Sequence, residues 1–417
     1  MSKWRWTILS LALITFIAVI WFVKTPFAPD FGTPDLLAPD TVTPQSTPPV
    51  FQPAGGLHPQ PLQVPARWSD SQFDGRKLNL PTGFEASVYA TGVTGARFMA
   101  YDNDGALYVT QTREGKISAV IDSDSDGAAD EIIIYAEDLN QPHGLAFQGG
   151  WLYVAENDRV IRMRDTDGDY RADDRETVIT GLPSGGGHFT RTIGFGPDNL
   201  IYVSVGSSCN ICEDDPRRAA ILRYNRDGTG EEVYASGLRN SVGFVWHPKT
   251  GEMFASDNGR DLLGDDLPPE EINIVSEGGD FGWPYCYGQN TPDPKYNDPS
   301  KCIDTLPPFV ELQAHSAPLG LRFYTGQGFP EKYGGALFVT YHGSWNRREP
   351  TGYKIVSIHF DGGAPVVEDF ATGWLVGGEK WGRPVDIIVA GDGAMIVSDD
   401  FGGTLYRVAY KGLAKVK

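Results

Sequence analysis

Short apolar runs, four to six residues long and separated by turns bearing Gly, Pro, Asn or Asp, fill most of the chain, while helix-like periodicity is scarce. Runs of that length bounded by turn residues predict strands, so the pattern predicts an all-β chain. The 50 glycines and 30 prolines fit a turn-rich fold of that kind. One half-motif recurs six times: DGALYVTQ from Asp104, GGWLYVAE from Gly149, DNLIYVSV from Asp198, TGEMFASD from Thr250, GGALFVTY from Gly334 and DGAMIVSD from Asp392. Most copies follow a Gly-containing turn and a second short apolar strand, as in TGARFMAY, QPHGLAF, RTIGF, RNSVGFVW, APLGLRF and RPVDIIV. Early copies lie about 45 to 50 residues apart, the length of a four-stranded blade that buries its faces only by stacking on neighbours. The prediction is a six-bladed β-propeller over residues 76–417, with an insertion at about Gly278 to Ser316.

The N-terminus reads differently. Lys3 and Arg5 precede an apolar run from Trp6 to Val23, long enough to cross a bilayer, and no small-residue cleavage site follows. Residues 1–24 are therefore expected to be a transmembrane signal anchor, with the basic flank cytoplasmic and the propeller periplasmic or extracellular. Residues 25–75, rich in Pro and Thr, are expected to be an extended tether.

A net charge of −19 without a basic cluster disfavours nucleic acid as a partner and suits a neutral or cationic small molecule. In a propeller, the turns before the innermost strands gather at one mouth of the central channel. They carry His143, His188, Arg191, Arg239, Asn240 and Arg383. His188 follows Gly185, Gly186 and Gly187, which allow close backbone approach to a ligand, and it is the candidate base. Asp122, Asp124 and Asp126, and 43 positions on Asp165, Asp167 and Asp169, alternate as carboxylates do in calcium loops; the alternative is a pair of solvated acidic hairpins. Four cysteines in an exported domain predict two disulfides, and pairing Cys209 with Cys212 and Cys286 with Cys302 closes the shorter loops. The CNIC pair is followed by Glu213, not His, which excludes c-type haem attachment.

The ordered segments GGGHFTRTIGFGPD, GLRNSVGFVWHP, SDNGRD and EEINIVSEGGDFGWPYCYG resemble the quinoprotein sugar dehydrogenases, from about Leu78 to Tyr410. SSCNIC and GDDLPPEEIN look most like the L-sorbosone dehydrogenase branch. The resemblance implies a propeller holding pyrroloquinoline quinone (PQQ) over calcium, oxidation of a sugar, and a quinone or cytochrome as electron acceptor. It implies His188 as catalytic base, Arg239, Asn240, Arg383 and Arg191 around the cofactor, and the backbone carbonyls of Gly259 and Arg260 on calcium. Two positions depart from the family pattern: Val385 stands where a second arginine is expected, and the lysine after the fifth blade has only His342, Arg347 or Lys380 as stand-ins. Calcium-dependent lactone hydrolysis and a non-catalytic, anchored glycan-binding propeller are the competing functions for such a scaffold.

Overall fold

The computed structural model describes residues 50–52, 56–360 and 362–412, all within one compact unit, Thr41–Lys417. The expected membrane span Trp6 to Val23 lies outside the described residues, among which no helix is long and apolar enough to cross a membrane.

Six antiparallel four-stranded sheets form the blades of a propeller. Their innermost strands are Ala96–Tyr101, Leu145–Gln148, Arg191–Phe195, Phe244–Trp246, Pro318–Phe323 and Pro384–Val389, here numbered blades 1 to 6, and each touches the next around a closed ring. The recurring LYV half-motif is the second strand of every blade, for example Leu107–Gln111 and Met395–Asp399, and both of these are buried at every position. Packing between neighbouring blades covers both faces, which is why these strands read as continuous apolar or small runs rather than alternating ones.

Blade 6 closes the ring by taking its outer strand, Phe84–Thr91, from the N-terminal side, in register from Thr404↔Thr91 to Tyr410↔Phe84. Val50–Gln52 adds a fifth, parallel strand to blade 5, and Gly279–Asp280 does the same for blade 3. The insertion places Cys286–Tyr287 and Thr291–Pro292 in a small hairpin before the outer strand of blade 4, Val310–Leu312.

Packed structure begins before Arg76. A hairpin pairs Leu57–Pro61 with Lys77–Pro81, and Leu62 and Phe73 are buried in the same cluster as Leu78, Leu80 and Phe84. Around Phe84 the rings of Phe329, Tyr333 and Phe370 pack edge-on at 4.7, 5.5 and 5.2 Å, which ties the closing strand to blade 5. Apolar residues at 62 and 73 are what draw this part of the expected tether onto the body.

Candidate active site

Inner-strand turns of blades 1, 3, 4, 5 and 6 line one cavity of about 700 Å³, and residues as far apart in sequence as Arg97 and Asp400 share it. His188 lies on its wall, on the loop before the inner strand of blade 3. Its Nδ1 is 2.9 Å from the Ser207 carbonyl oxygen and 3.0 Å from Ser207 Oγ. A carbonyl oxygen only accepts, so Nδ1 carries the hydrogen and Nε2 keeps its lone pair, with no protein partner among the described residues. Burial, and next the charge of Arg239, push the imidazolium down to about 4, so the ring is neutral at pH 7. Gly206 allows this approach: a Cβ there would sit 2.4 Å from Asn240 Oδ1 and 2.7 Å from His188 Cβ.

Arg191 does not reach the cavity. It is fully buried, donating to the carbonyls of His188 at 3.0 Å, Thr190 at 2.7 Å and Pro183. As the first residue of an inner strand, it has its side chain directed back beneath its own loop, so it braces His188 instead of lining the cofactor cavity as expected.

Arg239 and Asn240 do line the cavity. All five N–H groups of Arg239 are engaged: with Asn210 O and Oδ1 at 2.9 Å each, with the carbonyls of Asn258 at 3.0 Å and Gly259 at 2.8 Å, and with Asp261 at 3.5 Å. The main-chain N–H groups of Arg239 and Asn240 donate to buried Asp257, whose pKa burial raises to about 7. Gly259 lines the cavity as well, its N–H donating to Glu270 at 2.7 Å. The Arg260 side chain turns away into a second, smaller cavity, where it pairs with Asp293 at 2.9 Å.

On the opposite wall Asp400 is a hub. It accepts from Arg97 at 2.9 Å, from Arg383 Nε at 2.6 Å and from His342 Nε2 at 3.1 Å. Burial pushes Asp400 up, but His342 and the two guanidinium groups outweigh it and hold the carboxyl well below the usual range. Burial also pushes His342 down to about 4. Arg97 reaches over to His143 Nε2 at 3.2 Å, and His143 itself is fully buried behind the wall. Val385 is fully buried in the core, so the second arginine on this wall is Arg97, from blade 1. Its signal in the sequence is its place in TGARFMAY, one residue into an inner strand.

The three stand-ins for the family lysine all line the cavity, and they differ in what they bind. His342 holds Asp400, Arg347 holds the Asp265 carbonyl and Asp266, and Lys380 lies over the Phe401 ring without a carboxylate partner among the described residues. Sequence reasoning missed Arg97, Asp400, Glu270 and Arg113. Glu270 is buried, accepts from the Gly259 and Ala317 N–H groups, and is pushed up to about 8 by burial. The cavity is thus lined by five arginines and a lysine against four carboxyl groups, and burial pushes one of the four, Glu270, up to about 8.

Both expected disulfides are formed, Cys209–Cys212 and Cys286–Cys302, and the described residues include no free cysteine. The acidic hairpins depart from the expected triplets. Carboxylates converge as Asp122, Asp124 and Asp130, and as Asp165, Asp167 and Asp173, because the hairpin returns its last aspartate to the first two. Arg67 pairs with both Asp126 and Asp130, and Asp169 lies beside Arg171. Asp130 accepts from Ser123 and Asp173 from Thr166, through main chain and hydroxyl alike.

The six-bladed propeller thus brings a neutral histidine and a surplus of cationic side chains into one cavity at its channel mouth. The family model described as TrAA12-like matches residues 78–374, and the chain belongs to that family. It is 34% identical over 352 residues to an uncharacterized protein of Borreliella burgdorferi, covering 80% of this chain and 91% of that one. It is 24% identical over 406 residues to the pyrroloquinoline quinone-dependent pyranose dehydrogenase of Coprinopsis cinerea, covering 80% of this chain and 54% of the relative, so the match spans about half of the larger protein. Among solved structures, the PQQ domain of that pyranose dehydrogenase superposes with a TM-score of 0.70 at 22% identity, covering 84% of this chain and all of the domain. A calcium structure of the Trichoderma reesei family AA12 enzyme gives 0.68 at 24% identity over 79% of this chain and 96% of that one. The family expected from the loop motifs is the family found.

Proposed function

We propose that the chain is a PQQ- and calcium-dependent sugar dehydrogenase in which His188 is the general base. The observation that carries this reading is the contrast between a cavity with a surplus of cationic side chains and a chain of net charge −19. A surplus concentrated in one concave site suits a compact polyanion, and PQQ has three carboxylates. Arg383 engages Asp400 through Nε, and Arg113 and Lys380 have no carboxylate partner among the described residues; these three are assigned to the cofactor carboxylates. Arg239, its donors occupied, fixes the Asn258 and Gly259 carbonyls instead. The Gly259 carbonyl keeps a second lone pair, and the Arg260 carbonyl accepts no protein hydrogen bond among those described, so both can face a cation.

Bound PQQ with calcium supplies an electrophilic carbonyl that accepts hydride. His188 Nε2 takes the proton of the sugar C1 hydroxyl, and the Ser207 carbonyl steadies the imidazolium that results through Nδ1–H. Asn240, beside His188 across Gly206, is placed to orient polar groups of the reactants. Two disulfides support an oxidising compartment, so the propeller is assigned to the periplasmic or extracellular side of a membrane anchored by Trp6 to Val23, delivering electrons to a quinone or cytochrome. The test is titration of the purified protein with PQQ in calcium buffer, followed by dye-linked oxidation of an aldose panel. Saturable quinone binding with sugar-dependent dye reduction supports the reading, and binding without any aldehyde or hemiacetal oxidation refutes it.

A further inference from the structure

We propose that the disulfide-closed turn Cys209–Cys212 is the positioning element of the site, holding Arg239 on one side and the His188 loop on the other. The turn follows the second strand of blade 3, Ile201–Val205, at the cavity end. Its Asn210 accepts from Arg239 Nε at its main-chain oxygen and from an Arg239 terminal nitrogen at Oδ1, both at 2.9 Å. The same Oδ1 accepts the Asp261 N–H at 2.8 Å, and Asn210 Nδ2 donates to the Asp261 carbonyl at 3.0 Å. One residue inside the bridge therefore ties Arg239 to the Asn258–Asp261 wall. Toward His188, Ser207 Oγ donates to the Cys209 carbonyl at 2.8 Å, and the Ser208 carbonyl accepts the Gly187 N–H at 2.9 Å.

The bridge spans only 3 positions, against 16 for Cys286–Cys302. Closing so short a loop removes little freedom from the unfolded chain, so its effect is local, fixing the Asn210 acceptors that Arg239 needs. Arg239 is itself nearly fully buried, and a guanidinium there without acceptors would swing or draw water into the cavity wall.

The experiment uses the full chain as wild type, Cys209→Ser/Cys212→Ser, Asn210→Ala and, as control, Cys286→Ser/Cys302→Ser. Amide hydrogen exchange is read without cofactor, and PQQ affinity is read by absorbance titration, whose interpretation alone rests on the proposed function. Opening the turn or truncating Asn210 is expected to speed exchange at the Gly187 and Asp261 amides and to weaken PQQ binding about tenfold or more, the scale of lost hydrogen bonds to a charged group. The control is expected to lower the unfolding temperature and leave exchange at the Gly187 amide, on the His188 side of the turn, unchanged. Unaltered exchange at those amides, or unaltered PQQ affinity in a wild type that binds it, overturns the proposal. If wild type binds no quinone, the proposed function fails and exchange alone decides the positioning role; if the double variant does not fold, Asn210→Ala, which keeps the bridge, decides it.

Discussion

His188 Nδ1 rests 2.9 Å from the Ser207 carbonyl oxygen, and that contact leaves the Nε2 lone pair as the basic group facing the cavity. His188→Gln keeps a polar side chain of similar reach and removes the proton acceptor. Turnover is expected to fall about 10²- to 10⁴-fold with quinone affinity preserved. Ser207→Ala keeps the carbonyl and is expected to cost less than tenfold. Steady-state rates at saturating quinone, beside a binding titration, check both.

The pH dependence of turnover follows from the same ring. Burial and Arg239 push His188 down to about 4, so its ring is unprotonated across the neutral range. The acid limb of the rate profile is expected well below the ordinary histidine value of about 6.5. A limb centred at 6 to 7 that disappears in His188→Gln contradicts this environment.

Asp400 pairs with Arg97 and Arg383, all three largely shielded from solvent. Asp400→Asn leaves two cationic groups without their counter-charge. Breaking such a pair costs about 3 to 5 kcal/mol, so denaturant unfolding should show a loss of that order, partly restored by a bound polycarboxylate. A variant as stable as wild type contradicts the hub.

How much of this was legible in the sequence depends on what each residue packs against. The six LYV copies declare six second strands because inter-blade packing demands apolar or small residues on both faces. His188, Asn240 and Arg383 line the cavity because the turns that carry them precede inner strands. The same logic misplaced Arg191, since sequence position cannot tell a side chain that enters the channel from one that folds under its own loop. Arg97 and Asp400 escaped because their partnership joins blade 1 to blade 6, a contact made only when the ring closes. Glu270 escaped because burial, invisible in an EEIN motif, is what raises its pKa.

Buried acids set the stability profile above pH 6.5. Burial raises Asp257 to about 7 and Glu270 and Glu271 to about 8, so the folded state holds protons that the unfolded chain has released, and stability is lost as pH rises toward 8. His188 and His342, lowered to about 4, act oppositely, but their contribution is complete above about 6.5. In calcium-free buffer the unfolding temperature is expected to drop between pH 6.5 and 8, and Glu271→Gln is expected to flatten that slope. A rise over the interval contradicts the assignment.

In the proposed function the basic cavity holds PQQ, which takes hydride from the sugar while His188 takes the hydroxyl proton. The most direct measurement is dye-linked turnover of wild type and His188→Gln on several aldoses, after both have been titrated to saturation with PQQ in calcium buffer. Saturable quinone binding is expected from both proteins, with sugar-dependent turnover of His188→Gln about 10²- to 10⁴-fold below that of wild type. A wild type that binds no quinone, or a His188→Gln variant as active as wild type, contradicts it.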